Sequence, residues 1–174
     1  IALQNRVNFF NQQNYDKLTL ANMENSFLLE TLHKWLEVHC ENIKTIKQLE
    51  DINLYPILSA MIPWNDLQVL DKLLPINYIV PSGSVINIDY STKIPTLNVK
   101  VQEMFGLNQT PLIFNNTIAV NINLLSPAMK SIALTNDLKS FWDNSYIDVR
   151  KDLRGKYKRH YWPENPYEAI ATSK

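Results

Sequence analysis

Up to Pro75 the apolar residues of this chain recur at helical spacing, and beyond it they tend to alternate. In the first stretch Leu28, Leu32, Trp35 and Leu36 follow a capping residue at Asn25 or Ser26, and Ile46 and Leu49 follow Thr45. Residues three and four apart share one face of a helix, so both runs predict short amphipathic helices. Asn53 then precedes Leu54, Ile57, Leu58, Met61 and Ile62, with Pro56 in the first turn, where a missing N–H costs least. Asn65 is placed to cap a further run of Leu67, Leu70, Leu73 and Leu74, which Pro75 ends. Residues 1–74 therefore read as a helical subdomain, a compact array of about four or five helices.

After Pro75 the period shifts toward two and β-branched residues gather. Residues 78–80 and 85–90 flank Pro81-Ser82-Gly83-Ser84 and predict a hairpin, with Gly83 supplying the positive φ that a tight turn often needs. Residues 96–101 alternate as a strand, and residues 103–106 form a helical turn closed by Gly106. Residues 112–114 and 118–124 predict a second hairpin around Asn115-Asn116, and residues 130–134 one more strand after Ser126-Pro127. The last element is a helix capped by Thr135, with Asp137 in its first turn and Gly155 at its end. Leu138, Phe141, Trp142, Tyr146, Val149 and Leu153 trace its apolar face. Residues 76–174 thus read as an α+β subdomain with a C-terminal tail. The fold class is α+β: an N-terminal helical array, a small mixed β-sheet of hairpins, and a C-terminal amphipathic helix with an extended tail.

Composition narrows the class without changing it. A chain of 174 residues, 45% hydrophobic, can bury a substantial core as one domain or two small ones. No apolar run reaches the roughly 18 residues of a membrane span, and no charged segment followed by an apolar one opens the chain, so a soluble, cytoplasmic protein is expected, with no membrane partner. Cys40 is the only cysteine, which precludes an intrachain disulfide and fits a reducing compartment. The chain opens on Ile1 in helix-like sequence, as a piece of a longer polypeptide would.

Charge changes the picture more. The formal net charge is zero, yet residues 150–174 hold seven Lys/Arg against three Asp/Glu, and the rest of the chain ten against fourteen. Such asymmetry points to a polyanionic partner. Arg150, Lys151, Arg154, Lys156, Lys158 and Arg159 are interleaved with Tyr157, Tyr161 and Trp162, the makings of a surface that tracks phosphates and stacks bases. A second reading needs no ligand: cations near a helix C-terminus are favoured by about 0.3 to 1 kcal/mol each. In it Tyr157, Trp162, Pro163 and Pro166 fold back as an extended strap over the helical half, with the cations around them.

Catalytic chemistry finds little support. His33, His39, Cys40 and His160 lack metal-ligand spacing, so no metal site is expected. Cys40 has no neighbours that would activate a thiol. Asp148 and Asp152 lie one helical turn apart, where pairing with Lys151, Arg154 or Lys156 outweighs acid–base work. Ser82 belongs to a turn rather than a nucleophile elbow. Gly83, Gly106 and Gly155 are isolated and none precedes Lys-Ser or Lys-Thr, so no phosphate-binding loop is present. No catalytic residue is assigned.

Several segments carry a family likeness. Residues 78–84 (Tyr-Ile-Val-Pro-Ser-Gly-Ser) with Ile88-Asp89-Tyr90, residues 101–107 (Val-Gln-Glu-Met-Phe-Gly-Leu) with Thr110-Pro111, residues 124–128 (Leu-Leu-Ser-Pro-Ala), and Thr135-Asn136-Asp137-Leu138 through Tyr161-Trp162-Pro163 closely resemble the C-terminal region of the HrpB family of bacterial ATP-dependent DEAH/DExH-box helicases. The likeness is strongest from Trp64 to Pro166. It departs at Tyr161, where the family usually has proline between the His and the Trp, and in an Asn- and Ile-rich composition. The resemblance implies upstream RecA-like domains holding ATP and Mg2+, with no cofactor in this chain. It implies for this chain a non-catalytic accessory role in an RNA helicase: binding single-stranded RNA or another nucleic acid, or positioning substrate. The alternative is a docking or regulatory module packed on its own helicase core or on another protein, through apolar patches such as Phe9, Phe10 and Tyr15.

Overall fold

The computed structural model describes residues 1–173 and divides at Leu74 and Pro75 into two units, each with its own core. In the first unit α1 (Ala2–Gln12) buries Leu3, Val7, Phe9 and Phe10. Arg6 is buried among them, but its guanidinium donates to the Leu74 carbonyl and pairs with Asp71. A buried cation without those partners would cost several kcal/mol. The predicted run from Leu28 to Leu36 breaks into α2 (Asn25–Glu30) and α3 (Leu32–Trp35). At the break Thr31 leaves helical geometry (φ −104°, ψ 13°) and its hydroxyl donates to the Phe27 carbonyl at 2.6 Å, a local bond that competes with the helix ladder. The cap is the backbone of Glu24, with Asn25 already inside the helix.

Next come a 3₁₀ turn (Glu37–His39) and α4 (Ile46–Glu50), which carries a full capping box between Thr45 and Gln48. α5 (Leu54–Ala60) is capped by Asn53, whose side chain accepts from the Tyr55 N–H at 3.1 Å. α6 (Trp64–Leu73) starts earlier than the sequence predicts. The Pro63 carbonyl receives the N–H groups of Asp66 and Leu67, so Asn65 lies within the first turn.

The second unit is built on a five-stranded sheet beside a separate two-stranded hairpin. β1 (Asn77–Ile79) and β2 (Val85–Asp89) pair antiparallel across the predicted turn, where Gly83 has φ +85°. β3 (Thr96–Lys100) lies antiparallel to β2 and parallel to β6 (Asn121–Leu125), which pairs antiparallel with β7 (Ser131–Thr135). A parallel pair needs a crossover. Here it consists of a 3₁₀ turn (Val101–Met104) and the hairpin of β4 (Leu112–Ile113) and β5 (Ile118–Ala119).

The predicted strand 118–124 is therefore two strands. Val120 is fully buried, its N–H donates to the Pro111 carbonyl, and the Asn121 N–H donates to the Pro95 carbonyl, so the chain leaves the hairpin there and joins the central sheet. The hairpin turn holds Phe114, Asn115 and Asn116 all at positive φ.

The last helix begins at Asp137, whose carboxylate accepts from the Ser140 N–H at 2.9 Å; Thr135 instead ends β7 and its hydroxyl accepts from the Asp137 N–H. α7 (Leu138–Ser140) runs through a π-helical turn (Phe141–Ser145) into α8 (Tyr146–Lys156). Gly155 lies inside α8, and the helix closes at Tyr157, whose N–H reaches the Leu153 carbonyl at 2.8 Å. Phe141, Trp142 and Tyr146 share one core cluster with Val99, Ile122 and Leu124 of the sheet.

Candidate nucleic-acid interface

The end of α8 and the tail contain every candidate residue, and their environments divide them into two groups. Trp162 is 7% exposed and belongs to the core cluster; its indole N–H donates to the Tyr157 carbonyl at 3.1 Å. Tyr157 is half-buried against the same cluster, with its hydroxyl 3.5 Å from Ser126 Oγ. Arg150 fixes this bend: its Nε donates to the Trp162 carbonyl at 3.1 Å and its Nη2 to Glu164 at 2.8 Å. The Tyr146 hydroxyl, buried, donates to the Pro163 carbonyl at 3.0 Å. Burial pushes its pKa well above the ordinary tyrosine value, so the hydroxyl stays a donor.

Beyond Pro163 the tail continues as a strap on the second unit itself, where the sequence suggested the helical half. Gly106 N–H donates to the Pro166 carbonyl, and Thr172 N–H to the Gln102 carbonyl. Gly106 sits at φ +80°, and a Cβ there would meet the Ala169 carbonyl at 3.3 Å, so the strap lies close over its backbone. The Tyr167 hydroxyl donates to Asp143, which also pairs with Lys139 at 2.6 Å. The Lys139 hydrogen bond, then that of Tyr167, holds the Asp143 carboxyl below the usual range, and Arg150 does the same for Glu164. In return the Asp143 contact raises the pKa of Tyr167.

The second group faces solvent. Arg154, Lys156, Lys158 and Arg159 are exposed, and among the described residues none of their side chains makes a hydrogen bond or an ion pair. Lys156 Nζ lies 5.7 Å from the centroid of the Tyr157 ring, and Arg154 adds to the field that lowers the Glu164 pKa. Lys151 is exposed but pairs with Asp148 at 3.1 Å. Of the tail aromatics, Tyr161 alone is largely open, at 52%.

Sequence reasoning gathered these cations as one set and gave no hint that Arg150 is an anchor, because its partners are main-chain and side-chain groups more than ten residues away. Of the apolar residues named for docking, Phe9 and Phe10 are 5% and 1% exposed, and Tyr15 is half-buried. The first unit instead exposes Ile46, Tyr55 and Trp64 at 77%, 55% and 69%. Among the described residues no group of His, Cys, Asp and Glu converges as a metal site, and no helix is long and apolar enough to cross a membrane.

Comparison with known proteins gives a consistent result. A family described as ATP-dependent helicase C-terminal, that of HrpB, matches residues 35–166. The ATP-dependent RNA helicase HrpB of Escherichia coli (strain K12) is 35% identical over 151 residues, which covers 86% of this chain and 19% of that protein. The crystal structure of the E. coli DExH-box NTPase HrpB superposes with a TM-score of 0.83 at 32% identity, over 98% of this chain and 21% of that one. A second crystal structure, of the E. coli DEAH/RHA helicase HrpB, gives 0.69 at 30% identity over 92% of this chain and 20% of that one. The chain thus spans about a fifth of the length of the relatives it matches.

Proposed function

Because this chain belongs to the HrpB family of ATP-dependent helicase C-terminal domains, we propose that it serves an RNA helicase as a non-catalytic accessory domain that holds nucleic acid by its phosphates. ATP and Mg2+ would then bind in helicase domains outside this sequence. One observation carries the reading: Arg154, Lys156, Lys158 and Arg159 stand exposed without ion-pair partners among the described residues, while neighbouring Arg150 and Lys151 are paired with Glu164 and Asp148. Unpaired cations on a common stretch release counterions when they meet phosphates, which supplies affinity without sequence preference. The relative with the printed name of an RNA helicase makes single-stranded RNA the first substrate to test.

The test is a fluorescence-anisotropy titration of labelled single-stranded RNA at two salt concentrations, with the wild-type chain and a variant neutralised at Arg154, Lys156, Lys158 and Arg159. The wild type should bind more weakly at higher salt, and the variant should lose affinity, its salt slope reduced by roughly 0.7 to 1 per contact removed. Identical affinities would remove the reading. Exposed Ile46, Tyr55 and Trp64 favour a second one, a module that docks on its helicase core or on another protein. A wild-type chain that fails to bind RNA even at low salt would favour it.

A further inference from the structure

Aromatic residues of the tail differ in what their rings are free to do. Trp162 has its indole N–H engaged and its ring in the core, Tyr157 is half-buried, and Tyr167 is tied to Asp143. Tyr161 is 52% exposed and its hydroxyl makes no hydrogen bond among the described residues. Its ring is nevertheless not loose. It stands nearly perpendicular to that of Phe105 (84°) with centroids 6.1 Å apart, and Phe105 is fully buried and braced by Trp142 and Tyr146. The backbone on its C-terminal side is pinned by Arg150 on the Trp162 carbonyl and Tyr146 on the Pro163 carbonyl. On the other side the His160 N–H closes a turn onto the Tyr157 carbonyl at 3.0 Å, and exposed Lys158 and Arg159 immediately precede it.

We propose that Tyr161 is the base-stacking residue of this surface, and that the surface therefore takes single-stranded nucleic acid with an accessible base. The inference rests on the phosphate-binding reading of the cations. A ring held on one side and open on the other loses little conformational freedom when a base covers it, and every base offers a π-face, so the contact adds affinity without sequence choice. Paired bases in a duplex are already stacked on their neighbours and offer no free face, so the ring gains nothing there.

The experiment uses the full chain and three probes of equal length, about 12 nucleotides: a labelled single-stranded RNA, the same strand annealed to its complement, and an abasic strand. Tyr161→Ala should weaken single-strand binding about five- to 150-fold and leave the salt slope and both other affinities unchanged. Tyr161→Phe should bind like the wild type. Tyr161→Leu keeps apolar contact with Phe105 but has no π-face, so it should lose single-strand affinity even if Tyr161→Ala proves unstable. Equal single-strand binding by wild type and the Leu variant, or an equal loss on the abasic strand or duplex, overturns the role of the ring while leaving the cations in place. Absence of wild-type binding to any probe at low salt overturns both.

Discussion

Arg150 shows at the residue scale why a count of cations misreads this tail. Its guanidinium donates to a main-chain carbonyl and a carboxylate at once, a geometry that a lysine ammonium cannot reproduce. Arg150→Lys, which keeps the charge, should therefore destabilise the second unit by roughly 1 to 2 kcal/mol and leave RNA affinity unchanged. Thermal melts and RNA titration of the same variant check the two halves. The carboxylates holding the strap add a pH dependence. Asp143 is held below its ordinary range by Lys139 and Tyr167, and Glu164 by Arg150. Because a carboxyl with a lowered folded pKa binds its proton more readily when unfolded, its contribution is present above the ordinary carboxylate range, near pH 4, and is lost as acid passes the lowered value. The melting-temperature gap between the wild type and an Asp143→Asn, Glu164→Gln double variant should narrow between about pH 6 and pH 2.5. A gap that stays constant would show that these pairs do not hold the strap.

At the scale of elements, Gly155 in the helix and Gly106 under the strap should respond oppositely to the same change. Gly155 lies inside α8 with open space around it, so Gly155→Ala should stabilise the helix by about 0.5 to 1 kcal/mol. Gly106, at positive φ beneath the Ala169 carbonyl, should lose more than about 1 kcal/mol on the same change. Chemical denaturation of both variants measures this. The same contrast explains what was legible in the sequence. Thr45 and Asn53 cap the helices they precede, because a cap is a contact within a few residues and its chemistry is written locally. Strand positions and the fold class followed from period and turn residues. The break at Thr31, the shift of the last cap from Thr135 to Asp137 and the splitting of 118–124 at Val120 depend on competing local bonds or on partners such as Pro111 and Pro95. The parallel pairing of β3 with β6 is a long-range choice that no periodicity records. In the candidate site the sequence grouped Arg150 and Trp162, which hold the strap, with the cations left in solvent, because only distant partners such as Glu164 separate them.

For the whole molecule, the excess of positive charge in the last residues becomes two structures along one short stretch: an apolar strap closing the core of the second unit, and a row of solvent-exposed cations beside an open tyrosine. The strap explains why a neutral chain places tryptophan and proline in a basic tail, and the cations explain why that tail stays charged. The resonance of the Trp162 indole N–H reads this division directly. In a proton–nitrogen correlation spectrum recorded while single-stranded RNA is added, signals from Arg154, Lys156, Lys158, Arg159 and Tyr161 should shift. The Trp162 indole signal, bonded to the Tyr157 carbonyl, should stay where it is. A Trp162 indole that moves with RNA while the cation signals stay fixed would mean that the tail meets RNA through its packed tryptophan and not through its exposed cations.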